Sequence, residues 1–301
     1  MTQAAAPIVD GLDASKLRFV DVNGTRTRYY EDGTGEPLVL FHGGEYGHLY
    51  SLDSWSLVLP DLARHFHVYA ADRLGQGYTG NPSADDYTYA ALLRHTIGFL
   101  DALGIRGAHL AGHSRGGLLI AAVAFARPEL ARSLLIVNSG TLAPDDPRYP
   151  TTLYDEVERR TPPGPPTPES VRIEPDLQAY SPAQITDDFV ARLLAIAQTP
   201  AHAERVERMR ALAQTQWFPT LSEQKAETLR QIDERGLPCR TLMTWSYNDR
   251  SAALPRGQQL FDRIAARTPD AEFHIFNRTG HYVMREQPAA FTRLVRAFCL
   301  G

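Results

Sequence analysis

The chain has 301 residues, 43% of them hydrophobic, and a formal net charge of −4. That length fits one large domain or a domain carrying an insertion. No basic cluster favours nucleic acid, no apolar run reaches membrane-span length, and the first ten residues lack a secretory leader's basic and apolar regions, so a cytoplasmic protein without nucleic-acid or membrane partners is expected.

In chain order, residues 1–15 are small and polar and read as a loose leader. Two strands, over 17–20 and 25–30, flank the turn Asp21-Val22-Asn23-Gly24. A Gly-rich turn leads to a buried strand over 37–41 that runs into His42-Gly43-Gly44. Residues 55–62 carry apolar side chains at helical spacing, and a strand over 66–71 ends in Asp72-Arg73. An amphipathic helix follows over 88–103, closed by Gly104.

The next stretch organises the rest. A short apolar strand over 108–111 precedes Gly112-His113-Ser114-Arg115-Gly116-Gly117, and an alanine-rich apolar helix runs on to 126. A sharp strand-to-helix turn leaves no room for Cβ atoms near its apex. Glycines therefore flank the serine, and the turn lifts the Ser114 hydroxyl above the sheet edge. The helix that follows points its unpaired N–H groups at any charge forming beside that hydroxyl.

A strand over 133–137 comes next. Residues 144–168 are rich in proline and charge, including Thr161-Pro162-Pro163-Gly164-Pro165-Pro166, which argues against a regular helix or central strand there. Residues 181–235 read as helices with breaks near Thr199-Pro200 and Phe218-Pro219. Alternation resumes with a strand over 239–245, a helix over 254–266, a strand over 272–276 and a final helix over 288–299 begun by Pro288. The pattern is that of a mostly parallel sheet covered on both faces. It divides the chain into a core part over 1–142, a helical cap insertion over 143–236 and a second core part over 237–301. The two cysteines, Cys239 and Cys299, show neither metal-site nor disulfide spacing and read as core residues.

A serine hydroxyl is a poor nucleophile at neutral pH; it needs a base within reach, and the base needs an orienting carboxylate. Asp249 follows the strand over 239–245, and His281 lies in the loop after the last strand. Active groups of such sheets collect at the carboxyl ends of the strands. A rival acid would follow the strand over 133–137, but Asn138 and Ser139 stand there, with Asp145 and Asp146 further on. Two backbone donors must face the developing negative charge. The N–H of Arg115 is one, and Gly44 in the His42-Gly43-Gly44-Glu45 loop supplies the other. His42, Asp72 and Arg73 read as braces.

These residues resemble the alpha/beta-hydrolase superfamily over nearly the whole chain, which implies an eight-stranded, mostly parallel sheet with an inserted helical cap. Within it the chain looks most like the meta-cleavage-product hydrolases, which cut carbon–carbon bonds. The likeness lies in Leu38-Val39-Leu40-Phe41-His42-Gly43-Gly44, Leu62-Ala63-Arg64-His65-Phe66-His67-Val68, Leu242-Met243-Thr244-Trp245 with Asn248-Asp249-Arg250, and Gly280-His281. There are departures. Tyr282 stands where that subfamily has a tryptophan. Arg192 lies one place from the cap arginine that holds the substrate carboxylate, Asp53 or its neighbours occupy the region of an expected asparagine, and Glu45 replaces a third glycine.

The resemblance implies a cofactor-independent serine hydrolase with Ser114, Asp249 and His281 as its triad, Gly44 and Arg115 at the oxyanion hole, and no metal. Its substrate is a small hydrophobic or aromatic carbonyl compound (a C–C bond, ester or lactone), with Gly43, Glu45, Arg192, Trp217 and Tyr282 as candidate contacts. A homodimer is the analogous assembly. Two alternatives stand beside it: a non-hydrolytic enzyme of the same fold that cyclises or joins carbon skeletons, and a non-catalytic binding protein.

Overall fold

The computed structural model describes residues 10–301. In chain order it comprises β1 (Leu17–Val22), β2 (Thr25–Asp32), β3 (Pro37–Phe41), α1 (Leu59–Leu62), β4 (His67–Ala71), α2 (Tyr89–Ala102), β5 (Ala108–His113), α3 (Arg115–Ala126) and β6 (Ala131–Val137). Five helices follow without an intervening strand: α4 (Leu153–Arg160), α5 (Pro168–Gln178), α6 (Asp187–Ala197), α7 (Pro200–Leu212) and α8 (Phe218–Arg235). The chain then closes with β7 (Arg240–Ser246), α9 (Leu254–Ala265), β8 (Ala271–Phe276), α10 (Val283–Glu286) and α11 (Pro288–Leu300).

The eight strands form one sheet in the order β1-β2-β4-β3-β5-β6-β7-β8. The pairs β1–β2 and β2–β4 are antiparallel and all the others parallel. Side chains alternate across the pleat. Val39 and Phe41 of β3 pack with Phe99 of α2, Leu118 and Leu119 of α3 and Leu260 of α9. Leu38 and Leu40 face the other way, toward Trp55, Leu59 of α1, and Phe291 and Phe298 of α11. The central strand β5 is buried along its whole length, as a strand between two helical layers must be. For the same reason α3 is apolar on every side, with Gly116 through Ala124 all buried.

Four expectations need correction. The leader is not loose where it is described. Asp10 is a buried ion-pair partner of Arg192 and Arg285, and Ala14–Lys16 form a 3-10 turn capped by Asp13; residues 1–9 lie outside the described part. The helix expected over 55–62 is two pieces, a 3-10 turn at Leu52–Trp55 and α1, because Ser51 caps a turn earlier than the apolar spacing suggests. The proline-rich stretch does contain a helix, α4. Its prolines bracket residues 151–161 and leave them free to coil, and Arg160 meets Glu156 one turn back. The expected break at Phe218-Pro219 is a π-helical turn, Ala213–Trp217, that carries α7 into α8.

Candidate active site

Ser114 sits at the end of β5 with φ 53° and ψ −120°, a conformation an L residue holds only when its surroundings force it. Those surroundings are dense. Its N–H donates to Val137 O at 2.8 Å, and its carbonyl accepts from Ser139 Oγ at 2.6 Å. A Cβ on Gly112 would lie 2.1 Å from Gly116 O, so the turn is too tight for any other residue. Gly43, just past β3, also comes close, since a Cβ there would lie 2.8 Å from Ser114 Cβ. The Gly43 and Gly44 carbonyls are held by the buried Arg73, at 2.9 Å for Gly43. His42 braces the same loop, as its Nε2 accepts from Arg73 N at 3.2 Å. Among the described residues neither the Gly44 nor the Arg115 amide donates to a protein acceptor.

The buried Asp249 follows β7. Its Oδ2 accepts from His281 Nδ1 at 2.7 Å and from Asn138 Nδ2 at 2.7 Å. Its Oδ1 accepts from Ser251 N at 2.8 Å, Ser251 Oγ at 2.9 Å and Ala252 N at 2.9 Å. Burial pushes this carboxyl up, but His281 and the hydrogen bonds from Asn138 and Ser251 outweigh it and leave Asp249 below the usual carboxylate range. An ionised Asp249 accepts from Nδ1–H, which leaves His281 Nε2 as the unprotonated nitrogen of the neutral ring. The neighbouring Arg250 pairs with Glu156 at 2.5 Å.

The backbone of His281 is tied on both sides. Its N–H donates to Gln178 O at 2.9 Å, and its carbonyl accepts from His113 Nε2 at 2.8 Å. Burial, with His281 nearby, drives His113 well below its ordinary value, so it acts as a neutral donor. Ser114 and His281 line one cavity of about 280 Å³ together with Gly43, Gly44, Arg115 and Tyr282. Their side chains are not hydrogen-bonded to each other here. Contacts of this kind often tighten only once substrate is bound.

The cavity wall opposite the sheet comes from the helices between β6 and β7: Tyr154 of α4, Glu174 and Gln178 of α5, and Leu221 and Lys225 of α8. Tyr282 donates to Gln178 Oε1 at 2.5 Å, and Tyr50 donates to the same oxygen at 3.1 Å. Asp145 reaches the cavity but pairs with Lys225 at 2.6 Å and Arg256 at 3.2 Å, while Asp146 pairs with Arg148 at 2.6 Å; neither touches His281.

Three candidate contacts do not line this cavity. Arg192 is spent on Asp10 at 2.7 Å and Asp53 at 3.2 Å. Trp217 is core, packed on Tyr46 and stacked with Tyr89, and its indole N–H donates to Glu45 at 2.8 Å. Glu45 stands behind the wall, paired with Arg115 at 2.7 Å. Which residues form the wall depends on which helix face meets the strand ends, and order along the chain does not specify that face. Sequence reasoning also passed over Asn138, set aside as a residue unable to act as the acid, though its amide is a donor the acid needs. Cys239 and Cys299 are free, partly buried thiols, pushed up to about 11 and about 12 by burial.

A serine lifted on a strained turn between β5 and α3, under an eight-stranded and mostly parallel sheet's strand ends, marks an alpha/beta hydrolase. The model of the alpha/beta hydrolase family matches residues 38–294, and the chain belongs to that family; it is a hydrolase. It is 30% identical over 282 residues to the 2-hydroxymuconate semialdehyde hydrolase of Pseudomonas sp. (strain CF600), with 93% of each chain covered. It is 28% identical to the 2-hydroxy-6-oxo-2,4-heptadienoate hydrolase of Pseudomonas putida, covering 93% of this chain and 95% of that one. Among solved structures it superposes on a meta-cleavage product hydrolase from Pseudomonas fluorescens IP01, crystallised with acetates, with a TM-score of 0.76 at 26% identity, over 93% of this chain and 96% of that one. No helix among the described residues is long and apolar enough to cross a membrane.

Proposed function

We propose that this chain hydrolyses the carbon–carbon bond beside the ketone of a dienoate ring-cleavage product, with Ser114 as nucleophile, His281 as base and acid, and Asp249 as its orienting carboxylate. The observation that carries the reading is the 2.7 Å bond from His281 Nδ1 to Asp249, which leaves Nε2 free of that bond in a residue that lines the same cavity as Ser114. The likeness to the two Pseudomonas hydrolases supports the substrate class.

In this mechanism the substrate first ketonises: its enol proton moves to the carbon that will leave. His281 takes the Ser114 proton as Oγ attacks the ketone carbon, and the Gly44 and Arg115 amides receive the oxyanion. Collapse breaks the C–C bond, and the departing carbon takes the proton from His281. Water, deprotonated by His281, then releases the acyl group from Ser114 as a carboxylic acid. The helices between β6 and β7 act as a cap over 143–236 that excludes bulk water.

The test is a spectrophotometric assay of dienoate disappearance with mass spectrometry of the protein. Ser114→Ala should lower kcat by about 10³-fold or more while still binding substrate, since triad members act as a unit. A variant with wild-type turnover would remove Ser114 from the chemistry. Esters cleaved with dienoates left intact would keep the triad and discard the C–C substrate. The relatives named above are hydrolases, which favours hydrolysis over cyclisation or bond formation.

A further inference from the structure

We propose that Arg115, braced from behind by Glu45, is the residue that binds the substrate's carboxylate. The proposal rests on the reading of the chain as a dienoate hydrolase and concerns which cation meets the acid.

Four cationic side chains come into question, and three are already committed. Arg192 belongs to Asp10 and Asp53 and does not reach the cavity. Arg256 lines the cavity but donates to the carbonyls of Gly140 and Pro144, at 3.0 and 2.9 Å, and pairs with Asp145. Lys225 pairs with the same Asp145 at 2.6 Å.

Arg115 differs. Its side chain is 21% exposed and its residue lines the cavity directly beside Ser114. One terminal nitrogen, Nη2, meets Glu45 Oε2 at 2.7 Å, and among the described residues its guanidinium has no other acceptor. The rest of the fork is available to an acid, and a planar guanidinium matches a carboxylate with two parallel N–H bonds.

Glu45 is itself built in. Trp217 Nε1 donates to its Oε2 at 2.8 Å, and His48 Nε2 lies 3.4 Å from Oε1. One carboxylate thus serves two basic side chains, and both of those line the cavity while Glu45 does not. Burial lowers His48, but Glu45 and the cavity carboxylate Glu174 outweigh it and raise it above its ordinary value. Glu45, which stands where the resembling subfamily has a third glycine, is thus the partner of the arginine that follows the serine.

The experiment is calorimetric titration with hexa-2,4-dienoate and with its neutral amide, which have the same carbon skeleton. Wild-type protein should prefer the acid by about tenfold or more, the scale of a charge-assisted bidentate pair. Arg115→Gln should erase that preference, Arg115→Lys should reduce it several-fold, and Arg192→Gln and Lys225→Gln should preserve it. No preference in the wild type, a preference that survives Arg115→Gln, or one lost in Arg192→Gln or Lys225→Gln overturns the proposal. Should Arg115→Gln fail to fold, Arg115→Lys decides, and an unchanged preference there overturns it. Binding is read without turnover, so failure of C–C cleavage leaves this test intact. A negative result here leaves the chemistry of Ser114 untouched.

Discussion

Asn138 and His281 share a single oxygen: Oδ2 of Asp249 accepts from both, each at 2.7 Å. Asn138 follows β6, His281 follows β8, and the acid between them follows β7, so three adjacent strand ends meet on one atom. Asn138→Ala removes one donor from a buried carboxylate, worth about 1–2 kcal/mol. The expected result is a fall in kcat of about tenfold with KM nearly unchanged. Asp249→Asn should cost about 10⁴-fold, because an amide favours the wrong imidazole tautomer. A lower melting temperature with kcat intact would assign Asn138 to stability alone.

Tyr282 and Tyr50 both donate to Gln178 Oε1, and the backbone of Gln178 holds His281. Tyr282→Phe leaves Tyr50 as partner, so the loss should be about 1 kcal/mol by chemical denaturation. The Tyr50→Phe, Tyr282→Phe double variant strips the buried amide oxygen of both hydroxyls and should lose more than the two single changes combined. Additive losses would show that the hydroxyls do not compensate for each other.

Burial pushes Glu45 up, but Arg115, His48 and Trp217 outweigh it and hold its carboxyl down at about 2. A carboxyl depressed in the fold binds fewer protons there than in the unfolded chain between about 4.5 and 2. Its contribution to stability is complete above that window and is lost as pH falls through it. The gap in unfolding free energy between wild type and Glu45→Gln should be flat above pH 4.5 and shrink toward pH 2. A gap that does not change with pH would mean that folding leaves the Glu45 carboxyl at its ordinary value.

His95 is buried, with Nε2 at 2.9 Å from Thr27 Oγ1, and burial lowers it to about 4. The unfolded chain takes up this proton first, so stability falls as pH drops from about 6.5 to about 4 and is fully present above that range. His95→Gln should remove about one proton, roughly 1.4 kcal/mol per pH unit, from the slope of unfolding free energy there. His42 and His113, also buried and lowered, keep the remaining slope from vanishing.

Much of this was legible because hard steric rules write themselves into residue types. The glycines around Ser114, the alternation of strand and helix, and Pro288 at the start of α11 each follow from a local constraint a short window contains. Asp249 and His281 could be named from their place after the last two strands. The cavity wall was not legible. Trp217 and Arg192 look like site residues because they are large and lie in the helical segment. Whether such a side chain turns inward depends on partners such as Glu45, Asp10 and Asp53, over a hundred positions away in the sequence. Asn138 shows the opposite error: an amide was judged by the proton it cannot carry rather than by the hydrogen bond it can give.

Asp10 has no exposed side-chain surface, and its Oδ2 meets Arg192 of α6 at 2.7 Å, Arg285 of α10 at 3.1 Å and Thr186 at 3.0 Å. Asp10 therefore fastens the helical roof to α10, the short helix that follows the histidine loop. Shortened expression products that drop this residue would take a carboxylate from two arginines at once, leaving Arg192 to Asp53 alone and the buried Arg285 to neutral oxygens of Asp53, Ser56 and Gln184. The damage would surface some distance away, as a roof seated unevenly over the reaction chamber, so affinity tags and deletion boundaries are best placed upstream of it.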